Sequence, residues 1–217
     1  MELAMFVLHG HPLSSFHQKA AVAFYDTGTP FEFAMLDLGD EAERARFTAL
    51  WPFGKMPVLE DRARGQVVGE STAVIEHLAA TTPAAARLIP ADPETARRTR
   101  LMDRIFDLYV QAPFQRFGDH RREVPGARDE AIPELVKGQL ATAYGYLEGA
   151  LAGRAWAAGE DFTLADCGAG PALFYANRIL PIADHPNIAA YFERLKARPS
   201  YARAFEESKP YLDWVPF

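Results

Sequence analysis

Two places in the chain crowd polar side chains against the ends of apolar runs. In LHGHPLSSFHQK, residues 8–19, two serines and three histidines fall within twelve positions. Hydroxyls beside imidazoles suit an activated-serine hydrolase, or equally a turn that leaves its polar residues in water. The second place is split between PFGKMPVLED (residues 52–61) and VGESTAVIEHL (residues 68–78). Met56 precedes Pro57 where a strand should open. Proline there removes a backbone donor, and an X–Pro bond is the one kind that adopts cis cheaply. A cis bond would turn the N–H and carbonyl of Met56 outward, one donor and one acceptor for an extended peptide ligand. Thirteen residues after Pro57, Glu70 and Ser71 stand where a strand meets a helix. Ser71 is expected as the N-cap, beside free N–H groups and the positive end of the helix dipole. Such a corner holds a ligand carboxylate, with Glu70 available for an adjacent ammonium. The two segments together describe a pocket for a zwitterion that continues into a peptide.

Other chemistries lack their motifs. No GxSxG elbow flanks either serine, and no GxxxxGKS or GxGxxG loop exists. His9 and His11 lie two apart at a strand end, and His17, His77, His120 and His185 have no ligand spacing with a carboxylate and a second histidine, so no metal is expected. The formal charge of −6 and the absence of a basic cluster argue against a nucleic-acid binder. The single cysteine, Cys167, excludes an intrachain disulfide and fits a reducing compartment. The first residues show neither a basic leader nor an apolar run long enough to span a bilayer, so a soluble cytoplasmic protein with no membrane partner is expected.

The elements that must position these residues follow from periodicity. Residues 3–8 read as a buried strand, and Phe16, Ala20, Ala23 and Phe24 as a helix that Gly28 and Pro30 end. Phe31, Phe33 and Met35 alternate as a second strand. Residues 42–50 read as a short helix or irregular loop, 56–60 as a strand, QVV as its hairpin partner and 71–80 as a helix. The order β-α-β-(α)-β-β-α is that of a small α/β sandwich of the thioredoxin type. Residues 81–93, with three prolines, read as a linker. Beyond them only helices are expected: Leu101, Ile105, Leu108 and Tyr109 mark one, Leu140, Tyr144, Leu147 and Leu151 another, and Ile188, Tyr191, Phe192 and Leu195 a third. The resulting division is 1–80, linker 81–93 and an all-α helical 94–217. Thr163 and Asp166 form a capping box at a helix start, with Phe162 and Cys167 as its apolar staple.

GKMPVLED with GESTAVIEHL, VLHGHPLSSFHQKAAVAF upstream, and FTLADC, ALFYA and ARPSYARAFE downstream resemble the cytosolic glutathione S-transferase family over essentially the whole chain. The resemblance implies a thioredoxin-like glutathione-binding domain followed by an all-α helical domain, a homodimer, and glutathione as co-substrate with no metal. Pro57 resembles the family's cis-proline and Met56 the residue that bonds the cysteinyl unit. Glu70 and Ser71 resemble the pair that binds the γ-glutamyl group, and Lys55 stands near the glycine end. Where many members carry a basic contact to the glycyl carboxylate, this chain has Ala42 and Glu43, with Arg44 or Arg46 as substitutes. Trp51 replaces an asparagine common before PFG.

In the family the residue between the first strand and first helix activates the sulfur. The serine pair matches the zeta-like serine-type pattern, which selects Ser14, with Ser15 as the alternative. A thiol has a pKa near 8.5, and a hydroxyl donating to the thiolate lowers it. The start of the following helix adds a favourable dipole. His17 is expected to face solvent from that helix, with a general-base role as the alternative. The implied activity is attack of glutathione thiolate on a small hydrophobic electrophile, expected between the domains beside Leu13 and the first helix of the second domain, where Phe106 and Tyr109 are either candidates for the lining or core residues. A glutathione-dependent isomerase or dehalogenase is one rival reading, and a non-catalytic binding or interaction protein of the same fold is another. The tail PYLDWVPF either folds back over the cleft or packs elsewhere.

Overall fold

The computed structural model describes residues 5–37, 39–123, 126 and 128–215. Four strands form one sheet in the order β2-β1-β3-β4: β1 Phe6–Gly10, β2 Glu32–Met35, β3 Val58–Asp61 and β4 Gln66–Gly69. Of the first strand expected over 3–8, residues 3 and 4 lie outside the described residues. The parallel β1–β2 pair needs a crossover, and α1, Ser15–Thr27, supplies it. β3 and β4 run antiparallel as the hairpin expected from DRARG. Central β1 is buried, whereas edge β2 leaves Phe33 and Met35 exposed, so its alternation marks an edge rather than a second buried strand. Residues 42–50 are helical: α2 spans Glu41–Leu50 because the Asp40 carboxylate caps it, accepting the Glu43 N–H at 2.8 Å.

Helix α1 ends as expected, with Gly28 at φ 65 taking the left-handed C-cap that other residues adopt at a cost. Its inner face, Ala20, Ala21, Ala23 and Phe24, is buried with Phe6, Leu8 and Leu59 of the sheet and with α3, Ser71–Thr81. The expected linker is not featureless. Pro83–Leu88 forms a 3-10 turn that buries Ala85 and Leu88, so its first proline starts a tight turn rather than merely interrupting helix.

The remaining half is helical: α4 Pro93–Ile105, α5 Ala112–Arg122, α6 Ile132–Leu151, α7 Leu164–Ala176, α8 Pro186–Ala197 and α9 Pro199–Ser208, then a 3-10 segment Lys209–Trp214. Pro216 and Phe217 of the tail lie outside the described residues. The faces read in α6 and α8 are buried as expected. The stripe read through α4 is buried only at Ile105. Thr99, Met102, Asp103, Ile105 and Phe106 face the core, while Leu101, Leu108 and Tyr109 are exposed. Between α4 and α5, Phe106–Gln111 is a π-helical segment whose wider turn shifts the buried face to Val110 and Gln111.

Asp166 is more than the cap its spacing suggested. Buried at the start of α7, it accepts the Thr163 N–H at 2.8 Å, the Ala157 N–H at 2.8 Å and the Tyr191 hydroxyl at 2.6 Å. Burial pushes its carboxyl above the usual range, against the pull of those donors.

Candidate functional site

The sheet register brings the candidate segments to one edge. Val58 pairs with His9 on one side and with Gly69 on the other. The three chain segments leaving this edge are therefore 10–14, 56–57 and 70–71. With strands about 4.8 Å apart, the β1 and β4 ends are separated by about 10 Å, close to the reach of an extended tripeptide.

Ser14 is the N-cap of α1. Its Oγ accepts the His17 N–H at 3.3 Å, a bond that leaves the hydroxyl proton uncommitted. The alternative, Ser15, is the first helical residue and is buried. A partly exposed hydroxyl with a free proton, at the positive end of a thirteen-residue helix, is a donor for an anion.

His17 does not face solvent. It is only 3 % exposed, its ring lies against Phe33 with centroids 4.8 Å apart, and its Nδ1 has no partner among the described residues. Helix α1 turns this face onto β1, and a Cβ on Gly10 would stand 2.2 Å from the imidazole. Burial, with a smaller push from His11, lowers its pKa to about 3, so it is a neutral packing group. His9 bonds Glu60 across the β1–β3 pair at 2.5 Å. His11 Nδ1 accepts the Leu13 N–H at 3.1 Å, and its ring is held by Tyr211 and Trp214. Thus the tail does return, onto the loop before Ser14. Among the described residues no group of three or more histidine, cysteine, aspartate or glutamate side chains could hold a metal ion, and no helix is long and apolar enough to cross a membrane.

The Met56–Pro57 bond is cis. The β3 ladder begins at Val58, so neither backbone group of Met56 enters it. At the third segment the cap differs from expectation by one position. Glu70 is the N-cap of α3 and Ser71 its first helical residue, and neither side chain caps the helix. Glu70 has φ 67, the one positive value among the described non-glycine residues. That conformation costs about 1–3 kcal/mol, which a merely structural turn would avoid by using glycine. Glu70 is exposed and Ser71 is buried beside it. Trp51 packs its indole on Gly69, where a Cβ would meet the ring at 2.2 Å, and so forms the floor below this corner.

Beside the three segments, a cleft of about 560 Å³ opens between the two halves of the chain. Phe16 and Lys55 form one wall, and Arg116, His120 and Ile132 stand on the other. Phe106 and Tyr109, the aromatics singled out in the sequence, do not line it: Phe106 is buried and Tyr109 is in solvent. Another cleft, of about 660 Å³, lies among Arg87, Asp92, Trp156 and Arg198 and contains none of the candidate residues.

One cluster escaped the sequence reading. Lys19, only 1 % exposed, places Nζ 2.6 Å from Asp103, 2.8 Å from Asp107 and 2.9 Å from the Thr72 hydroxyl. Burial raises the Asp103 carboxyl, with Asp107 adding to the rise and Lys19 opposing it. The available signals were a lysine inside the apolar pattern of α1 and two aspartates four apart, one on α4 and one in the π-helical segment after it.

Two family models match the chain. One is described as Glutathione S-transferase, N-terminal domain, over residues 8–86, and the other as Glutathione S-transferase, C-terminal domain, over residues 101–199. Glutathione S-transferase 3 of Zea mays is 29 % identical over 93 % of both chains. A probable maleylacetoacetate isomerase of Caenorhabditis elegans is 26 % identical over 94 % of both. Among solved structures, a glutathione S-transferase of Methylobacterium radiotolerans in complex with glutathione sulfonate superposes with a TM-score of 0.80 at 26 % identity, over 92 % of this chain and 93 % of that one.

Proposed function

The chain belongs to the glutathione S-transferase family, and from that premise we propose that it binds glutathione along the shared sheet edge and activates its thiol for attack on an electrophile. The observation that carries this reading is the Ser14 hydroxyl, which caps α1 through its lone pair and keeps its proton free to donate to sulfur. Met56, beside the cis Pro57, offers its backbone groups to the cysteinyl unit. Glu70 takes the γ-glutamyl ammonium and Ser71, with the α3 N-terminus, the adjoining carboxylate. Lys55 lies at the glycyl end.

The mechanism needs no proton from Ser14. A hydrogen bond to the charged sulfur contributes about 1.5–3 kcal/mol, and each pKa unit is worth about 1.4 kcal/mol, so the bound thiol falls about one to two units toward neutral pH. The thiolate then forms a C–S bond to the electrophile, and the leaving group departs with the bonding pair. The thiol proton has already passed to solvent. A metal has no role in this scheme. The electrophile is small with an apolar body, and it occupies the 560 Å³ cleft, whose walls include Phe16 and Ile132.

The test is a pH titration of the thiolate absorbance of bound glutathione. In Ser14→Ala the bound thiol pKa rises by about one to two units and kcat/KM falls about 10- to 100-fold. Unchanged values would reject Ser14 and leave Ser15. Similarity to a probable maleylacetoacetate isomerase favours one second reading, a glutathione-dependent isomerase, and product analysis separates it because no conjugate accumulates. Glutathione binding without turnover of any electrophile would instead favour a non-catalytic module.

The same reading makes residues 1–80 the glutathione-binding domain, 81–93 the linker and 94–217 the helical domain of a cytoplasmic homodimer. Support for the dimer comes from apolar side chains in solvent: Phe53 is 73 % exposed, and Leu101 and Leu108 stand seven residues apart along α4 and the π segment.

A further inference from the structure

We infer that the cleft between the two halves is built for an electrophile that carries an anionic group, a carboxylate in the first instance, on its apolar body. The inference rests on the proposed use of glutathione, because the cleft adjoins Ser14 through Phe16 and Met56 through Lys55. Two cations line it from opposite walls, Lys55 from the loop before β3 and Arg116 from α5. Neither has an ion-pair or hydrogen-bond partner among the described residues. One helical turn after Arg116 on α5 stands His120, 5 % exposed, whose Nδ1 is buried without a partner among the described residues. A polar ligand, or water carried with it, would satisfy that nitrogen.

Three carboxylates also line the cleft, and among the described residues none of them forms an ion pair with Lys55 or Arg116. Asp119 accepts from Gln115 at 3.1 Å and from Arg122 at 3.3 Å. Asp129 accepts the Ala131 N–H at 2.9 Å. Glu123 follows the last residue of α5 and is exposed. With Lys55 taken up at the glycyl end of glutathione, Arg116 and the buried His120 are the groups on the far wall left for a second ligand, Glu123 stands at the exposed end of α5, and Phe16 and Ile132 supply apolar surface for the body of the ligand. A guanidinium recognises a carboxylate by two parallel hydrogen bonds, which a neutral ester cannot match.

The glycyl carboxylate of glutathione shares this chemistry, and the experiment separates the two. The protein is first titrated with S-methylglutathione by calorimetry. Once saturated, it is titrated with 3,5-dinitrobenzoate and with methyl 3,5-dinitrobenzoate, which differ in the charge of one group. The acid is expected to bind about tenfold tighter than the ester. In Arg116→Met that preference shrinks to about twofold or less, Arg116→Lys restores part of it, and S-methylglutathione affinity does not change. Arg116 is exposed on α5, so its replacement does not disturb the core. Equal binding of acid and ester, no binding of the acid, or an unaltered preference in Arg116→Met would overturn the inference and leave the glutathione reading standing. Loss of S-methylglutathione affinity in Arg116→Met would overturn it by assigning the arginine to the glycyl carboxylate. Failure of the wild-type protein to bind S-methylglutathione would overturn the proposed function and this inference with it.

Discussion

A serine that caps a helix is structural whether or not it does chemistry, and at Ser14 the cap and the proposed role call on different parts of one hydroxyl. The lone pair serves the His17 N–H, and the proton is left for a ligand. Ser14→Ala should therefore lose about 1 kcal/mol of stability along with its activity, a joint effect that urea denaturation and kinetics can separate. His17 shows the opposite outcome, since a residue whose type suggested chemistry is a packing group. Its depressed pKa fixes the sign of a pH effect. Above about pH 6.5 both folded and unfolded chains hold it neutral, and its titration costs nothing there. Below that pH the unfolded chain takes up a proton that the folded chain refuses until about pH 3, so stability falls by as much as about 1.4 kcal/mol per pH unit in that window. His17→Phe should flatten the loss of urea midpoint between about pH 6 and pH 4. An unchanged slope would show that the imidazole is hydrated in the folded protein. Residue types singled out Ser14 as a candidate, but burial at position 17 was hidden because α1 is buried nearly all round, which periodicity reads poorly.

Elements, rather than residues, decide where the ligand-facing groups meet. Helices α1 and α3 both begin at the site. The Lys19 cluster ties the first to the second through Thr72, and both to α4 and the π segment through Asp103 and Asp107. Lys19→Met would leave Asp103 and Asp107 buried with only the half-exposed Arg104 as a cation, a change expected to cost about 3 kcal/mol. Asp103→Asn, which keeps the shape and one carboxylate for Lys19, should cost less. Denaturant midpoints of the two variants check the order, and an inverted order would show that Lys19 depends on an ionised Asp103 more than the two carboxylates depend on Lys19. At this scale the sequence was legible wherever a cap or breaker marked an element, as at Gly28. It misled where tertiary packing chose among apolar residues. On α4 the buried face runs through Thr99 and Asp103 because Lys19 needs a partner there, which leaves Leu101 outside.

For the whole molecule, that outward stripe is the testable consequence. Leu108→Glu should convert a dimer to a monomer in sedimentation velocity while leaving the fold, read by circular dichroism, intact. A monomeric wild-type protein, or a variant that sediments unchanged, would remove this stripe from the interface. The tail, through Tyr211 and Trp214 on His11, adds a contact from the last helical segment to the loop before Ser14. The chain thereby closes on the loop that leads into Ser14.

The sequence by itself determined the strand order and crossover helix of the first half, with residues 42–50 left between helix and loop, the helical second half and the three segments proposed to bind the ligand. Those features are local: strand alternation, caps, a Met–Pro step and a Glu–Ser corner are each written within a few residues. Only the tertiary structure decided that His9, Val58 and Gly69 lie abreast, because register depends on pairing between segments far apart in the chain. It alone turned His17 inward, joined Lys19 to Asp103, and set Arg116 opposite Lys55. These are contacts across the fold, fixed by which faces bury together, and no spacing along the chain records them.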